Sequence, residues 1–83
     1  MNDFLIRFSS ITHATKAKKI LEGHTINSLM QKTPQKLSEG SCGYCLRLNG
    51  STGKRAAQIL KQFKIRYKGC YIEETGGYAK VET

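Results

Sequence analysis

Five side chains in this sequence are the natural candidates for nucleophile, metal ligand or proton carrier near neutral pH: Cys42, Cys45, Cys70, His13 and His24. Cys42 is set apart by its neighbours, Ser38-Glu39-Gly40-Ser41 before it and Gly43 after it. Glycines keep a backbone open to an approaching anion. The Ser38 and Ser41 hydroxyls can donate to a sulfur or selenium anion. A thiol attacks as thiolate, and a loop position beside a helix N-terminus or a positive charge favours that form. A cysteine that merely fills a core is the plainer alternative, but a polar Gly/Ser stretch is a poor place for one.

The other candidates read less sharply. Cys42-Gly43-Tyr44-Cys45 is a C-x-x-C, the spacing of a redox pair, yet it leads into strand-forming residues where a thioredoxin-like motif would lead into a helix. With a strand starting at Tyr44, Cys45 points to one fixed face of a sheet. Cys70, between Gly69 and Tyr71, reads as core. Zinc needs four ligands, and Cys42, Cys45, Cys70 and His13 supply that number without a second C-x-x-C or a pair of histidines at the H-x₃₋₅-H spacing, so no metal is expected. His24 reads as a turn residue. Gly50-Ser51-Thr52-Gly53-Lys54 lacks the glycine and the Ser/Thr of a phosphate loop, having Leu48 and Arg55 there, and reads as a capped helix start.

These side chains need elements to hold them. Asp3–Phe8 is rich in strand formers. Ser9, Ser10 and Thr12 are caps for a helix whose apolar stripe is Ala14, Ala17, Ile20 and Leu21, ended by Gly23. Ile26–Lys32 is a second strand, stopped by Pro34; the polar stretch from Gln35 to Gly43 is a loop, and Tyr44–Leu48 a third strand. Ala56, Ile59, Leu60 and Phe63 mark a second helix, and Tyr67–Glu73 a fourth strand. Thr75–Thr83, with Gly76-Gly77, reads as a flexible tail after a single domain over residues 1–74.

Strand, helix, strand, strand, helix, strand predicts an α+β, ferredoxin-like βαββαβ two-layer sandwich, with both helices on one face of a four-stranded antiparallel sheet. Strands one and two then run parallel with strand three between them. That topology brings Ser9–His13 and Thr33–Cys45 to one edge, and aims the positive end of the first helix at the cysteine loop. His13 would add a proton acceptor or a charge there.

Composition limits the setting. With 83 residues there is one thin-cored domain, better suited to a surface site than to a deep cavity. No apolar run is long enough to span a bilayer, and no signal peptide opens the chain, so the cytoplasm is the expected compartment. Fourteen Lys and Arg against six Asp and Glu give a net charge of +8, which attracts acidic partners without choosing among them. Lys54, Arg55, Lys61, Lys64, Arg66 and Lys68 lack the interleaved aromatics of a sheet-based RNA binder, so nucleic acid is not the expected ligand.

Ser9-Ser10-Ile11-Thr12-His13, followed by Ala17, resembles the S-T-H-x-A opening of the selenium/sulfur carrier protein-like family, with Ile11 interposed. Thr33-Pro34-Gln35-Lys36-Leu37-Ser38-Glu39-Gly40-Ser41-Cys42-Gly43 is similar to that family's T-P-[RK]-x-[LI]-S-x-S-C-G loop, altered at Glu39-Gly40. Gly69 followed by Tyr71 resembles the ending of its last strand. The resemblance implies that Cys42 holds a persulfide or selenopersulfide, with Thr12 and His13 as neighbours on the same edge. It implies a donor of the cysteine desulfurase or selenocysteine lyase kind and a sulfur or selenium acceptor enzyme. No cofactor is then required, and the chain is a co-substrate more than an enzyme. The alternatives are a Cys42/Cys45 thiol redox module and a basic interaction domain without chemistry.

Overall fold

Alternation in Asp3-Phe4-Leu5-Ile6-Arg7-Phe8 puts Phe4, Ile6 and Phe8 on one side of an extended chain and Leu5 and Arg7 on the other. In the computed structural model, which describes residues 3–34 and 43–81, this segment is strand β1 (Asp3–Phe8), the centre of a five-stranded sheet. Helix α1 (Ile11–Gly23), strands β2 (Ser28–Lys32) and β3 (Tyr44–Asn49), helix α2 (Gly53–Gln62) and strands β4 (Gly69–Glu74) and β5 (Gly77–Val81) follow. The sheet order is β2-β3-β1-β4-β5, with every neighbouring pair antiparallel. β1 and β2 therefore run parallel with β3 between them.

Both helices bury their stripes against the same face. Ala14, Ala17 and Leu21 of α1 and Ala56, Ala57, Ile59 and Leu60 of α2 share one core with Phe4, Ile6, Phe8, Leu46, Leu48 and Cys70. Each large apolar side chain removed from water there contributes roughly 1.5–3 kcal/mol. Among the described residues, the other face carries no helix. It holds a small buried pair, Leu5 and Cys45, flanked by Tyr71 and Tyr78.

Four features depart from the sequence reading. The sheet has five strands, because Glu74 and Gly77 pair across a two-residue hairpin and Gly77–Val81 runs back along β4 where a tail was expected. Gly76 makes that hairpin feasible by taking a φ of 85°. Gly23 does not end α1 as a left-handed cap. It is the last residue of the helix, as expected, but the Leu21 and Glu22 carbonyls accept from Ile26 and Thr25, and the left-handed residue is Thr25 (φ 60°). That closure consumes Ile26, so β2 begins at Ser28 rather than at Ile26. Phe63 caps α2 outside the core, 49% exposed, with its ring edge-on to His24 at 5.6 Å.

Candidate functional site

The edge at which β1 ends gathers the residues that sequence reading singled out. Phe8 pairs with Tyr44, Lys32 pairs with Tyr44 from the other side, and Arg7 pairs with Gly69. The ends of β1, β2, β3 and β4 thus meet there, with the start of α1. Just outside the strands, Gly43 accepts a hydrogen bond from the Thr33 amide through its carbonyl at 3.0 Å. This bond clasps together the two ends of the segment that contains Cys42. A side chain at Gly43 would come within 2.9 Å of the Phe8 carbonyl oxygen and 3.2 Å of Thr33 Oγ1. Only glycine lets this residue lie against the end of β1.

The first turn of α1 adjoins this clasp through the two residues after Phe8. Ser10 is the N-cap, in extended conformation, and its hydroxyl accepts from the His13 amide at 3.3 Å. The same oxygen lies 2.9 Å from His13 Nδ1. This contact holds the exposed His13 ring beside the N-cap. Thr12 is exposed beside it. No acidic residue stands in this first turn, so the positive end of the helix dipole is not neutralised locally.

Cys45 is a different kind of thiol. It is fully buried on the helix-free face, and its Sγ donates weakly to the Lys32 carbonyl at 3.9 Å. Burial pushes its pKa up, against smaller opposing effects from Gln31 and Arg47. Cys70 pairs with Ile6 and packs beneath the helices. Since Cys45 pairs with Arg7, the next residue of β1, the two strand cysteines occupy opposite faces and cannot share a metal ion or a disulfide. Among the described residues, no group of His, Cys, Asp and Glu could hold a metal.

Of the predicted site residues, Thr12, His13 and Gly43 come to one edge, whereas Cys45 faces away from the helices. Cys42, Ser38 and Ser41 lie outside the described residues. The second-helix start, read as a capped turn, is one of a different make. Asn49 Oδ1 accepts from the Ser51 amide and hydroxyl, while the Thr52 hydroxyl donates to the Asn49 carbonyl and caps nothing.

Sequence reading missed the ion cluster on the helix-free face. Arg47 donates to Asp3 at 2.6 Å and to Glu73 at 3.0 and 3.3 Å. Those hydrogen bonds hold the Arg47 pKa above its usual value and the Glu73 pKa below its own. The one available signal was the odd-numbered, outward position that Arg47 shares with Cys45 on β3.

A family model described as "Putative Se/S carrier protein-like" matches residues 3–72. The chain belongs to that family. No curated protein and no solved structure matches it. The matched span in this Se/S carrier-like chain runs from β1 into β4 and includes Cys42; β5 lies beyond it. Among the described residues, no helix is long and apolar enough to cross a membrane.

Proposed function

We propose that this Se/S carrier-like chain carries one sulfur or selenium atom on Cys42, between a donor enzyme and an acceptor enzyme, in the reducing cytoplasm. The observation that carries the reading is the clasp next to Cys42: Thr33 and Gly43 join the ends of its segment against Phe8, two residues before the N-cap of α1. A thiolate near the start of that helix gains from its dipole and from amides that the helix itself leaves unused. The first six elements and their neighbours, with β1 and β2 flanking β3, fit a ferredoxin-like unit extended by β5.

The chemistry is an exchange. The Cys42 thiolate attacks the outer atom of the donor's cysteine persulfide. A new S–S bond forms on Cys42, the donor's S–S bond breaks, and its electron pair leaves with the donor's cysteine as thiolate. No outside oxidant or reductant enters. Delivery repeats the step with the acceptor as nucleophile. The His13 imidazole and the Thr12, Ser38 and Ser41 hydroxyls are assigned to steady the anion. A Cys42/Cys45 redox cycle is disfavoured, because the buried Cys45 resists ionisation and so makes a poor attacking thiolate.

The test is incubation with a cysteine desulfurase and cysteine, followed by mass spectrometry of the cysteine peptides. The expected product carries the mass of one extra sulfur on Cys42, is removed by a thiol reductant, and is lost in Cys42→Ser. A Cys42–Cys45 disulfide, or no gain on Cys42, overturns the reading.

A further inference from the structure

Acidic residues among the described ones rarely meet the cations of the helix side, whereas the helix-free face mixes both signs, with Arg47, Lys80, Asp3 and Glu73. On the helix-free face, Asp3 and Glu73 are both bound to Arg47. On the helix side, Lys16 and Lys19 of α1, Lys54, Arg55 and Lys61 of α2 and Lys64 after it are all exposed, and none makes an ion pair among the described residues. The one acidic residue of α1, Glu22, is held by Lys18. Five cations without counterions on two adjacent helices, and a sixth just after them, cost self-repulsion, unless a polyanionic surface comes to meet them.

Of the large apolar side chains exposed among the described residues, Leu29 lies on β2, while Ile11 in α1 and Phe63 just after α2 lie on the helix side, each 49% accessible. Ile11 opens α1, one residue from Thr12 and directly after the N-cap. An apolar anchor within a basic surface is the make-up of a protein interface, in which a desolvated apolar contact sits inside a charged rim. A nucleic-acid backbone has no use for an isolated aliphatic side chain.

We infer that the outer surface of α1 and α2 is the docking face for an acidic protein partner, with Ile11 as its apolar anchor. This rests on the carrier reading, since a carrier must present its thiol edge to the enzymes it serves and α1 starts at that edge. Complementary charge then sets the encounter rate and the orientation, and Ile11 fixes the final register. A standard interface of about 800 Å² per partner is a modest part of the 5315 Å² surface of the chain.

The experiment is an NMR titration of the full chain with two probes of equal charge in ~0.15 M salt. One is an acidic helical peptide of Glu, Leu and Ala, the other a single-stranded oligouridylate. The peptide is expected to shift amides of α1 and α2, foremost near Ile11, Lys16, Lys19, Lys54 and Lys61. Its affinity should fall at least ~10-fold when Lys16, Lys19, Lys54 and Lys61 become Glu. It should also weaken several-fold in Ile11→Ser, while oligouridylate binds more weakly and ignores Ile11. Shifts on the β5 side or spread evenly, tighter binding of RNA, indifference to both variants, or no binding of either probe would each overturn it. Sulfur loading of Cys42 from inorganic polysulfide needs no docking. Loading that survives a failed titration leaves the carrier reading intact, and failed loading beside a positive titration overturns only the chemistry.

Discussion

The two faces of the sheet bury a cysteine each, by different means. Cys70 lies under both helices among Ile6 and other apolar side chains, in the main core. Cys45 lies on the helix-free face, where, among the described residues, Leu5, two half-buried tyrosines and a set of polar neighbours surround it. One face excludes water by layering, the other by side chains that lie down over a few positions. The lesson is that a strand thiol in this fold is withdrawn from nucleophilic work on either face.

The contrast is broken most directly by truncating adjacent residues of β1. Ile6→Ala removes a buried side chain beneath both helices and should cost towards the top of the ~2–5 kcal/mol range for core truncation, whereas Leu5→Ala should fall towards the bottom. Urea unfolding of both variants measures the difference. A Leu5→Ala loss at least as large as that of Ile6→Ala would mean that the faces are equally packed.

Gly43→Ala tests the edge between the faces. The new methyl meets a backbone oxygen that cannot rotate away, so a loss of about 1–3 kcal/mol is expected, as for overpacking elsewhere. Thermal unfolding reads the stability, and the same preparation should load sulfur on Cys42 more slowly. Unchanged stability would show that the clasp yields without cost.

The ion cluster gives a smaller, pH-dependent effect confined to the helix-free face. The Arg47 guanidinium holds the Glu73 carboxyl below its usual range. Stability from this pair is therefore fully present above the ordinary Glu pKa, about 4.3, and is lost as pH falls through the lower folded value. Arg47→Gln should lower stability slightly at neutral pH and flatten the acid limb of the profile by the same small amount, since exposed ion pairs contribute little. An acid limb of unchanged slope would remove Arg47 as its cause. At the other extreme, the raised Cys45 pKa adds stability that is intact below the ordinary thiol range and fades as pH climbs above it.

Much of this was legible in the residues because it depends on local alternation. β1 falls on Asp3–Phe8, since Phe4, Ile6 and Phe8 must share a side. The burial of Cys70 and the fixed facing of Cys45 follow from where β4 and β3 start. What was illegible depends on partners far away in the chain. Gly76-Gly77 breaks a pattern when read alone, and becomes a hairpin only because β4 offers β5 an edge. Phe63 completes a helical stripe on paper, but α2 ends before it reaches the core. Arg47 finds Asp3 and Glu73 only through the register of three strands. The Gly/Ser make-up around Cys42 was legible by composition and by family likeness, whereas the Thr33–Gly43 hydrogen bond that joins the two ends of that segment needed the register of β2 and β3.

The most direct test of the central claim is pH-dependent alkylation of the native chain, followed by mass spectrometry at each cysteine. Cys42 should react first, with an apparent pKa below the free-thiol value of about 8.5, while Cys45 and Cys70 react only as the fold opens. A Cys42 pKa at or above that value, or faster labelling of Cys45, would contradict the account.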